Sequence, residues 1–148
     1  MTVQVQINIT GSYTNIWKAI TDIQSLAETI RGIEKIEILE NPGNKLEGLK
    51  WRETRMYFGK PASVDKWITD AAEMKYYTTK AELDGFTFIN TLSLSGTDGN
   101  VILTSIHETK PLGLISKIKS IPMLFLKGIL RKAILQDLRN FKTAVEAN

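Results

Sequence analysis

The chain has 148 residues, of which 43 % are hydrophobic, and it contains no cysteine. This composition excludes a disordered or collagen-like chain, a disulfide framework and a thiolate metal site, and the length predicts a single domain over residues 1–148. No apolar run reaches the ~18 to 20 residues of a membrane span. The N-terminus lacks the basic and apolar regions of a signal peptide. We therefore expect a soluble, cytoplasmic protein.

The charge is concentrated near the C-terminus. Residues 110–148 carry eight Lys and Arg against two acidic residues, whereas the whole chain has a net charge of +3. A basic amphipathic helix can dock on anionic lipid, although its commoner meaning is a core helix with solvated Lys and Arg stems. Nucleic acid is not an expected partner, because no groove-reading motif accompanies the charge.

The N-terminal third predicts one strand followed by two short helices. Val3 to Ile9 alternate with polar residues from Thr2 to Thr10, as in a strand with one buried face. Helical spacing of apolar residues then runs from Ile16 to Ile23, with Ser12 or Thr14 available as the N-cap, and a second short helix begins at Ser25.

The next segment of the sequence predicts three further strands. Ile36 and Ile38 mark the second strand, and a third begins after Gly48. We predict that Arg52, Thr54 and Met56 of the third strand face inward. This orientation buries one charged side chain, whereas the opposite face of the strand would bury two, and burying a charge is unfavourable. The fourth strand, around 62–69, has no clean apolar face, and we leave its orientation open.

Three longer strands follow, joined by tight turns. Tyr77 to Leu83 and Phe86 to Ser95 alternate on either side of a hairpin signal, Asp84-Gly85. After a second turn at 96–100, the last strand spans 101–109. Ile102, Thr104 and Ile106 share one face and Leu103, Ser105 and His107 the other, and a single bulge would invert this assignment.

The tail predicts a long helix. A short amphipathic turn over 114–118 leads to Pro122, which suits the first turn of a helix. An apolar stripe then recurs at 3.6-residue spacing, formed by Leu126, Leu130, Ala133, Ile134, Leu138, Phe141 and Val145. Strands joined by tight turns, with helices segregated to one side, predict an α+β domain with an antiparallel sheet.

Two segments carry a resemblance to a known family. Ile16-Trp17-Lys18-Ala19-Ile20-Thr21-Asp22 and Gly48-Leu49-Lys50-Trp51-Arg52-Glu53-Thr54-Arg55, with the order of elements, resemble the polyketide cyclase/dehydrase and lipid-transport group. That group belongs to the SRPBCC (START-like, birch-pollen-allergen) superfamily. The resemblance implies a helix-grip fold, in which a curved seven-stranded antiparallel sheet surrounds the long C-terminal helix, with two short helices after strand one. It also implies a cavity for a small hydrophobic or amphipathic ligand, but not one chemistry.

These expectations give a set of candidate ligand-binding residues on the inward faces of the strands and the long helix. The set is Arg52, Thr54, Met56, Tyr77, Phe88, Asn90, Leu92, Thr104, Ile106, Leu126, Leu130 and Ile134. An inward Arg52 would anchor a carboxylate or phosphate head group. The alternatives are that it pairs with Asp65 or Glu53, or lies in water.

Three functions remain open on the sequence. The first is non-enzymatic binding of a small hydrophobic or amphipathic ligand, which covers transport and sensing. The alternative is a cyclase-, dehydratase- or hydrolase-type enzyme acting on an aromatic or polyketide-like substrate through Arg52, Tyr77 or His107. It requires polar side chains that converge in the cavity. The third is transient membrane-surface contact through Lys117, Lys119, Lys127 and the turn 123–126.

No catalytic residue, metal or cofactor is predicted. His107 is the only histidine, and its sequence neighbours Ser105 and Glu108 do not make a catalytic triad by themselves. One histidine without cysteine offers no metal-ligand spacing. A monomer and a homodimer are both compatible with the sequence.

Overall fold

The structure is a computed structural model that describes residues 1–57, 59–112 and 123–147, with only the backbone of residues 57 and 123–126. The elements, in chain order, are β1 (Thr2–Ile9), α1 (Tyr13–Thr21), a 3-10 turn (Ile23–Ser25), α2 (Leu26–Thr29), β2 (Ile33–Glu40), β3 (Lys50–Tyr57), β4 (Lys60–Ala72), β5 (Tyr76–Leu83), β6 (Phe86–Thr97), β7 (Asn100–Pro111) and α3 (Met123–Glu146). The predicted order of elements is therefore confirmed.

The described strands form one antiparallel sheet in the order β1-β7-β6-β5-β4-β3-β2. All of β1 pairs with β7, with Val3 opposite His107 and Ile9 opposite Val101. The predicted hairpin at Asp84-Gly85 is present, and both residues have positive φ, as a two-residue turn requires. The sheet and the long C-terminal helix confirm the predicted α+β helix-grip class.

The core lies between the concave face of the sheet and the helices. Ser12 caps α1 by accepting a hydrogen bond from the backbone N–H of Asn15. This cap directs Ile16 and Ile20, both fully buried, onto the sheet. Trp17 contacts Tyr77 of β5 edge to face, with ring centroids 6.4 Å apart.

Among the described side chains of α3, the most buried lie in the C-terminal half of the helix. Leu138 and Phe141 are 1 % and 3 % exposed, whereas Ile129 near the start of the helix is 64 % exposed. Two cationic side chains of α3 also donate to the open edge of β1: Arg131 to the carbonyl of Gln4 and Lys142 to that of Asn8, both at 2.9 Å. The helix thus covers the core and also supplies hydrogen-bond donors to two backbone carbonyl groups of the edge strand.

The predicted orientation of β3 is wrong. Glu53 is 2 % exposed and Trp51 is buried, while Arg52 and Met56 are exposed on the convex face with Thr54, which is half-buried there. The rule of counting charges failed because Glu53 and Arg55 form a salt bridge with each other. Two opposite charges that neutralise each other cost less to bury than two separate ones.

The cavity-facing assignment of β7 is also wrong. Leu103 and Ser105 are buried, whereas Thr104 and Ile106 lie half-exposed on the convex face. In β4, which had no predicted orientation, a register shift between Ile68 and Asp70 changes which residues face the core. Before that bulge the register of residues 60–68 is unbroken, and neither face is cleanly apolar because Lys66 lies on the cavity face, where it binds Glu53, while Trp67 lies on the other face. The short turn predicted over 114–118 lies outside the described residues.

Candidate ligand-binding cavity

A cavity of about 260 Å³ lies between the concave face of the sheet and helices α2 and α3. It is just below the roughly 300 to 1,000 Å³ of pockets for drug-sized ligands, and far larger than one water requires. Its apolar wall consists of Leu26, Ile30, Ile33, Trp51, Tyr77, Ala81, Phe88, Leu92, Leu130, Ala133, Ile134, Leu138 and Phe141. Its polar lining consists of Glu53, Arg55, Lys66, Thr79, Lys80, Asn90, Ser105, His107 and Asp137.

Four of the polar residues form a connected ion cluster, hereafter the Glu53 cluster (Glu53, Arg55, Lys66 and Asp137). One oxygen of Glu53, Oε2, accepts from Arg55 Nε at 2.7 Å and from Lys66 Nζ at 2.8 Å. The other end of Arg55 makes a two-pronged contact with Asp137 of α3, at 2.9 and 3.4 Å. The cluster therefore connects β3, β4 and the long helix.

The two central side chains of the cluster stay charged despite their burial. Burial would raise the pKa of Glu53, but the nearby Lys66 and Arg55 lower it to about 2. Burial likewise opposes the charge of Arg55, but Glu53 and Asp137 raise its pKa above the ordinary arginine value. The cluster thus holds two negative and two positive charges at neutral pH.

A second polar group, the His107 pair (His107 and Asn90), lies on neighbouring strands. The two residues are directly opposite each other in the β6–β7 register, which brings their Cβ atoms to roughly 5 Å. Ser105 Oγ donates to Asn90 Oδ1 at 2.8 Å and so fixes the amide. The His107 ring contacts Phe88, with centroids 6.1 Å apart.

The imidazole of His107 is uncharged at neutral pH. Burial, with a smaller effect of the positive charge of Lys66, lowers its pKa to about 4. Within the described part of the chain, neither ring nitrogen of His107 makes a hydrogen bond. Neither nitrogen is fully buried. Its nitrogens therefore remain available to a molecule in the cavity.

Tyr77 contributes its ring but not its hydroxyl. The Tyr77 hydroxyl donates to the carbonyl of Ile20 at 2.6 Å, away from the other polar groups. Burial and the charge of Glu53 raise its pKa above the ordinary tyrosine value. An acid–base role for this residue, one of the three predicted for an enzyme, therefore has little support.

The structure brings together half of the predicted candidate residues. Six line the cavity: Tyr77, Phe88, Asn90, Leu92, Leu130 and Ile134. Five lie on the convex face of the sheet: Arg52, Thr54, Met56, Thr104 and Ile106. Arg52 forms its predicted alternative pair with Asp65, joined at 2.8 Å, and so anchors no ligand in the cavity. The side chain of Leu126 lies outside the described residues.

Sequence reasoning missed the Glu53 cluster. One signal was available: Glu53 and Arg55 stand two apart on the strand, beside Trp51, so all three side chains share one face. Asp137 gave no such signal, because it lies 82 residues from Arg55.

Among the described residues, no group of three or more His, Cys, Asp or Glu could hold a metal ion. In the same residues no helix is long and apolar enough to cross a membrane.

These features define the class of fold: the chain has the START-like helix-grip fold, with a cavity between sheet and long helix. Solved structures with the same fold include a START superfamily protein from Mycobacterium smegmatis. It is 14 % identical with a TM-score of 0.82, and the match covers 99 % of this chain and 97 % of the other.

Two enzymes are also similar in structure. Zhui aromatase/cyclase from Streptomyces sp. R1128 is 16 % identical with a TM-score of 0.75, and the match covers 99 % of this chain and 93 % of the other. Norcoclaurine synthase from Thalictrum flavum is 14 % identical with a TM-score of 0.70, covering 99 % and 94 %. No family model matches the sequence, and no curated protein matches it. At these identities the comparisons establish the fold alone.

Proposed function

We propose that this protein binds a small, mainly apolar molecule in the cavity between the sheet and α3, as a carrier or sensor would. The observation that carries the proposal is the cavity itself, with its extended apolar wall and the nitrogen atoms of His107 and Asn90, which have no hydrogen-bond partner among the described residues. Pockets of this composition hold a ligand by apolar contact and orient it through a few polar groups.

Binding is favoured over catalysis by the state of the polar groups. Arg52 faces solvent, and the hydroxyl of Tyr77 is already bonded to Ile20. His107 remains, but a base with a pKa of about 4 accepts protons poorly at neutral pH. None of the three residues predicted for an enzyme therefore combines position with reactivity.

The test is a fluorescence titration with N-phenyl-1-naphthylamine, a neutral apolar probe, and native mass spectrometry of the purified protein. We expect saturable binding to the wild type. Ala81 faces the cavity from β5, so Ala81→Phe should fill it and abolish binding. Glu82→Phe, its neighbour on the exposed side, is the control and should bind like the wild type. Absence of wild-type binding, or equal binding by Ala81→Phe, would refute the proposal.

A second candidate is a cyclase-, dehydratase- or hydrolase-type enzyme acting on an aromatic or polyketide-like substrate. The observation that favours it is the convergence of His107 and Asn90 beside the ring of Phe88, since two hydrogen-bond donors on one substrate oxygen can stabilise negative charge that develops there. The two candidate functions predict different outcomes when a compound extracted from the cavity is incubated with the protein. Recovery of that compound unchanged after incubation supports a carrier, whereas a product whose formation is lost in His107→Gln supports an enzyme.

We also propose a cytoplasmic location and retain the predicted membrane-surface contact as a proposal. Lys127 is exposed at the start of α3, while the other residues predicted for that contact lie outside the described side chains. Co-sedimentation with vesicles that do and do not contain anionic lipid tests it, and equal binding to both would remove it.

A further inference from the structure

The Glu53 cluster is closed on itself in charge. Both carboxylates pair with a cation, and both cations pair with a carboxylate, at distances of 2.7 to 2.9 Å. Glu53 is buried and its partners are only partly exposed, so water cannot freely screen a further charge. Lys80, the remaining charged residue of the lining, pairs with Glu82 at 3.6 Å on the opposite face of β5 from Thr79 and Ala81. An ionised group on a ligand would therefore find every charge of the described lining already paired, and burying an unpaired charge is costly.

The His107 pair offers the opposite: hydrogen-bonding capacity without charge. Because Asn90 Oδ1 accepts from Ser105, the amide has two N–H donors left. A neutral imidazole adds one donor and one acceptor nitrogen. The pair can therefore both donate to and accept from one small polar group on a ligand.

We propose that the cavity selects uncharged molecules that carry a hydroxyl or carbonyl group, held by His107 and Asn90, and disfavours their ionised analogues. A hydroxyl donates to the acceptor nitrogen of His107 and accepts from Asn90, while a carbonyl accepts from both. The Phe88 ring beside His107 provides a surface for the adjoining part of the ligand, so a ring-bearing compound fits best. This inference rests on the proposed binding function.

Three ring compounds of the same skeleton test it: 2-naphthol, 2-methylnaphthalene and 2-naphthoate, each displacing N-phenyl-1-naphthylamine at neutral pH. The naphthol is neutral and polar, the methyl compound neutral and apolar, and the naphthoate ionised. One buried hydrogen bond predicts that 2-naphthol binds about fivefold more tightly than 2-methylnaphthalene. We expect 2-naphthoate to bind at least about tenfold more weakly than 2-naphthol, because its charge has no partner.

Variants assign the preference to the two residues. His107→Phe and Asn90→Leu should each reduce the preference for 2-naphthol while 2-methylnaphthalene still binds. Thr104→Val, on the convex face between Ser105 and Leu103, is the matched control and should leave the order of affinities unchanged. The wild-type order needs no variant, so a variant that fails to fold does not block the test.

The possible results separate the two proposals. If the apolar probe and 2-methylnaphthalene bind but 2-naphthoate equals 2-naphthol, selection of uncharged molecules is refuted while binding stands. If the preference for 2-naphthol over 2-methylnaphthalene survives in both variants, the assignment of the polar group to His107 and Asn90 is refuted, and binding again stands. If none of the compounds binds, the proposed function falls, and this inference falls with it.

Discussion

At Glu53, three side chains donate hydrogen bonds to one buried carboxylate. Arg55 and Lys66 meet its Oε2 atom, and the indole N–H of Trp51 lies 3.4 Å from Oε1. A comparable pair of opposite charges, Arg52 with Asp65, lies on the exposed face of the same two strands. The two sites therefore allow buried and exposed ion pairs to be compared within one sheet.

We expect Glu53→Gln to destabilise the fold by about 3 to 5 kcal/mol, because it leaves Arg55 and Lys66 partly buried without their shared partner. Asp65→Asn is the matched control, and solvent screening should make its effect small. Urea denaturation at neutral pH measures both. Equal losses of stability would show that the Glu53 cluster does not behave as a buried network.

The stability of the protein should fall as the pH drops from 6.5 towards 4. The pKa of His107 is lowered by burial, and next by Lys66, to about 4 in the folded state. In the unfolded chain the histidine binds a proton near pH 6.5. Between pH 6.5 and 4 the unfolded chain therefore binds more protons than the folded chain, and lowering the pH stabilises the unfolded state. The shift corresponds to a loss on the order of 3 kcal/mol.

Urea denaturation at about pH 7, 6 and 5 measures this loss. His107→Phe should flatten the pH dependence, while Thr104→Val should keep the wild-type slope. The titration of Glu53 does not interfere with this measurement. Its pKa is about 2 in the folded state, so the stability that the charged Glu53 contributes is lost only below about pH 4.5. An unchanged slope in His107→Phe would show that another group titrates.

For single residues, strict alternation identifies the cavity wall where one face of a strand is clearly apolar. Phe88 and Leu92 were placed correctly for this reason, and Asn90 between them followed the same alternation. Alternation could not orient β3, because both of its faces carry charges. The deciding partner, Asp137, approaches only when α3 packs on the sheet, and no local pattern contains that information.

In α3, the described side chains divide into an exposed group at 127–129 and a group from Leu130 onward that contains the packed residues. Leu138 is buried against the core, while Ile129 belongs to the apolar residues left in solvent. The 3.6-residue stripe predicted the helix and its buried face from Leu130 onward. It could not predict where burial fades, since that depends on how far the sheet extends beneath the helix.

Leu138→Ala should therefore lower the free energy of unfolding by about 2 to 5 kcal/mol, because it removes a fully buried side chain from a packed site. Ile129→Ala, on the same helix, should change it by less than about 0.5 kcal/mol. Urea denaturation of both variants measures the difference. Similar effects at the two positions would contradict the division of the helix.

The bulge in β4 shows another limit at the element scale. A strand of thirteen residues, Lys60–Ala72, was predicted only as a weak segment around 62–69. The register shift beside Ile68 interrupts the alternation of inward and outward residues. Sequence periodicity assumes an unbroken pleat, so the bulge explains why the predicted strand ends at 69 and not at Ala72.

On the scale of the whole molecule, the fold leaves space where a packed core would be more stable. Each unfilled volume lined by apolar side chains forfeits contacts that close packing would supply. The order of elements predicted such a cavity through a family resemblance. The size and polarity of the cavity depend on side chains from six strands and two helices, which no single segment of the sequence contains.

A molecule that enters the cavity should stabilise the whole fold. If N-phenyl-1-naphthylamine binds only the folded chain, a concentration one hundred times its Kd adds about 2.7 kcal/mol to the free energy of unfolding. For a chain of this length, that gain raises the Tm by roughly 5 to 10 °C. Differential scanning calorimetry with and without the probe measures the rise.

The variant Ala81→Phe, whose added ring occupies the cavity, should show no rise in Tm with the probe, whereas Glu82→Phe should show the wild-type rise. Because the two substitutions add the same ring to adjacent residues of β5, the difference between them isolates the cavity from other surfaces. An equal rise in both variants would place the bound probe outside the cavity, and stabilisation of the fold by cavity binding would be refuted.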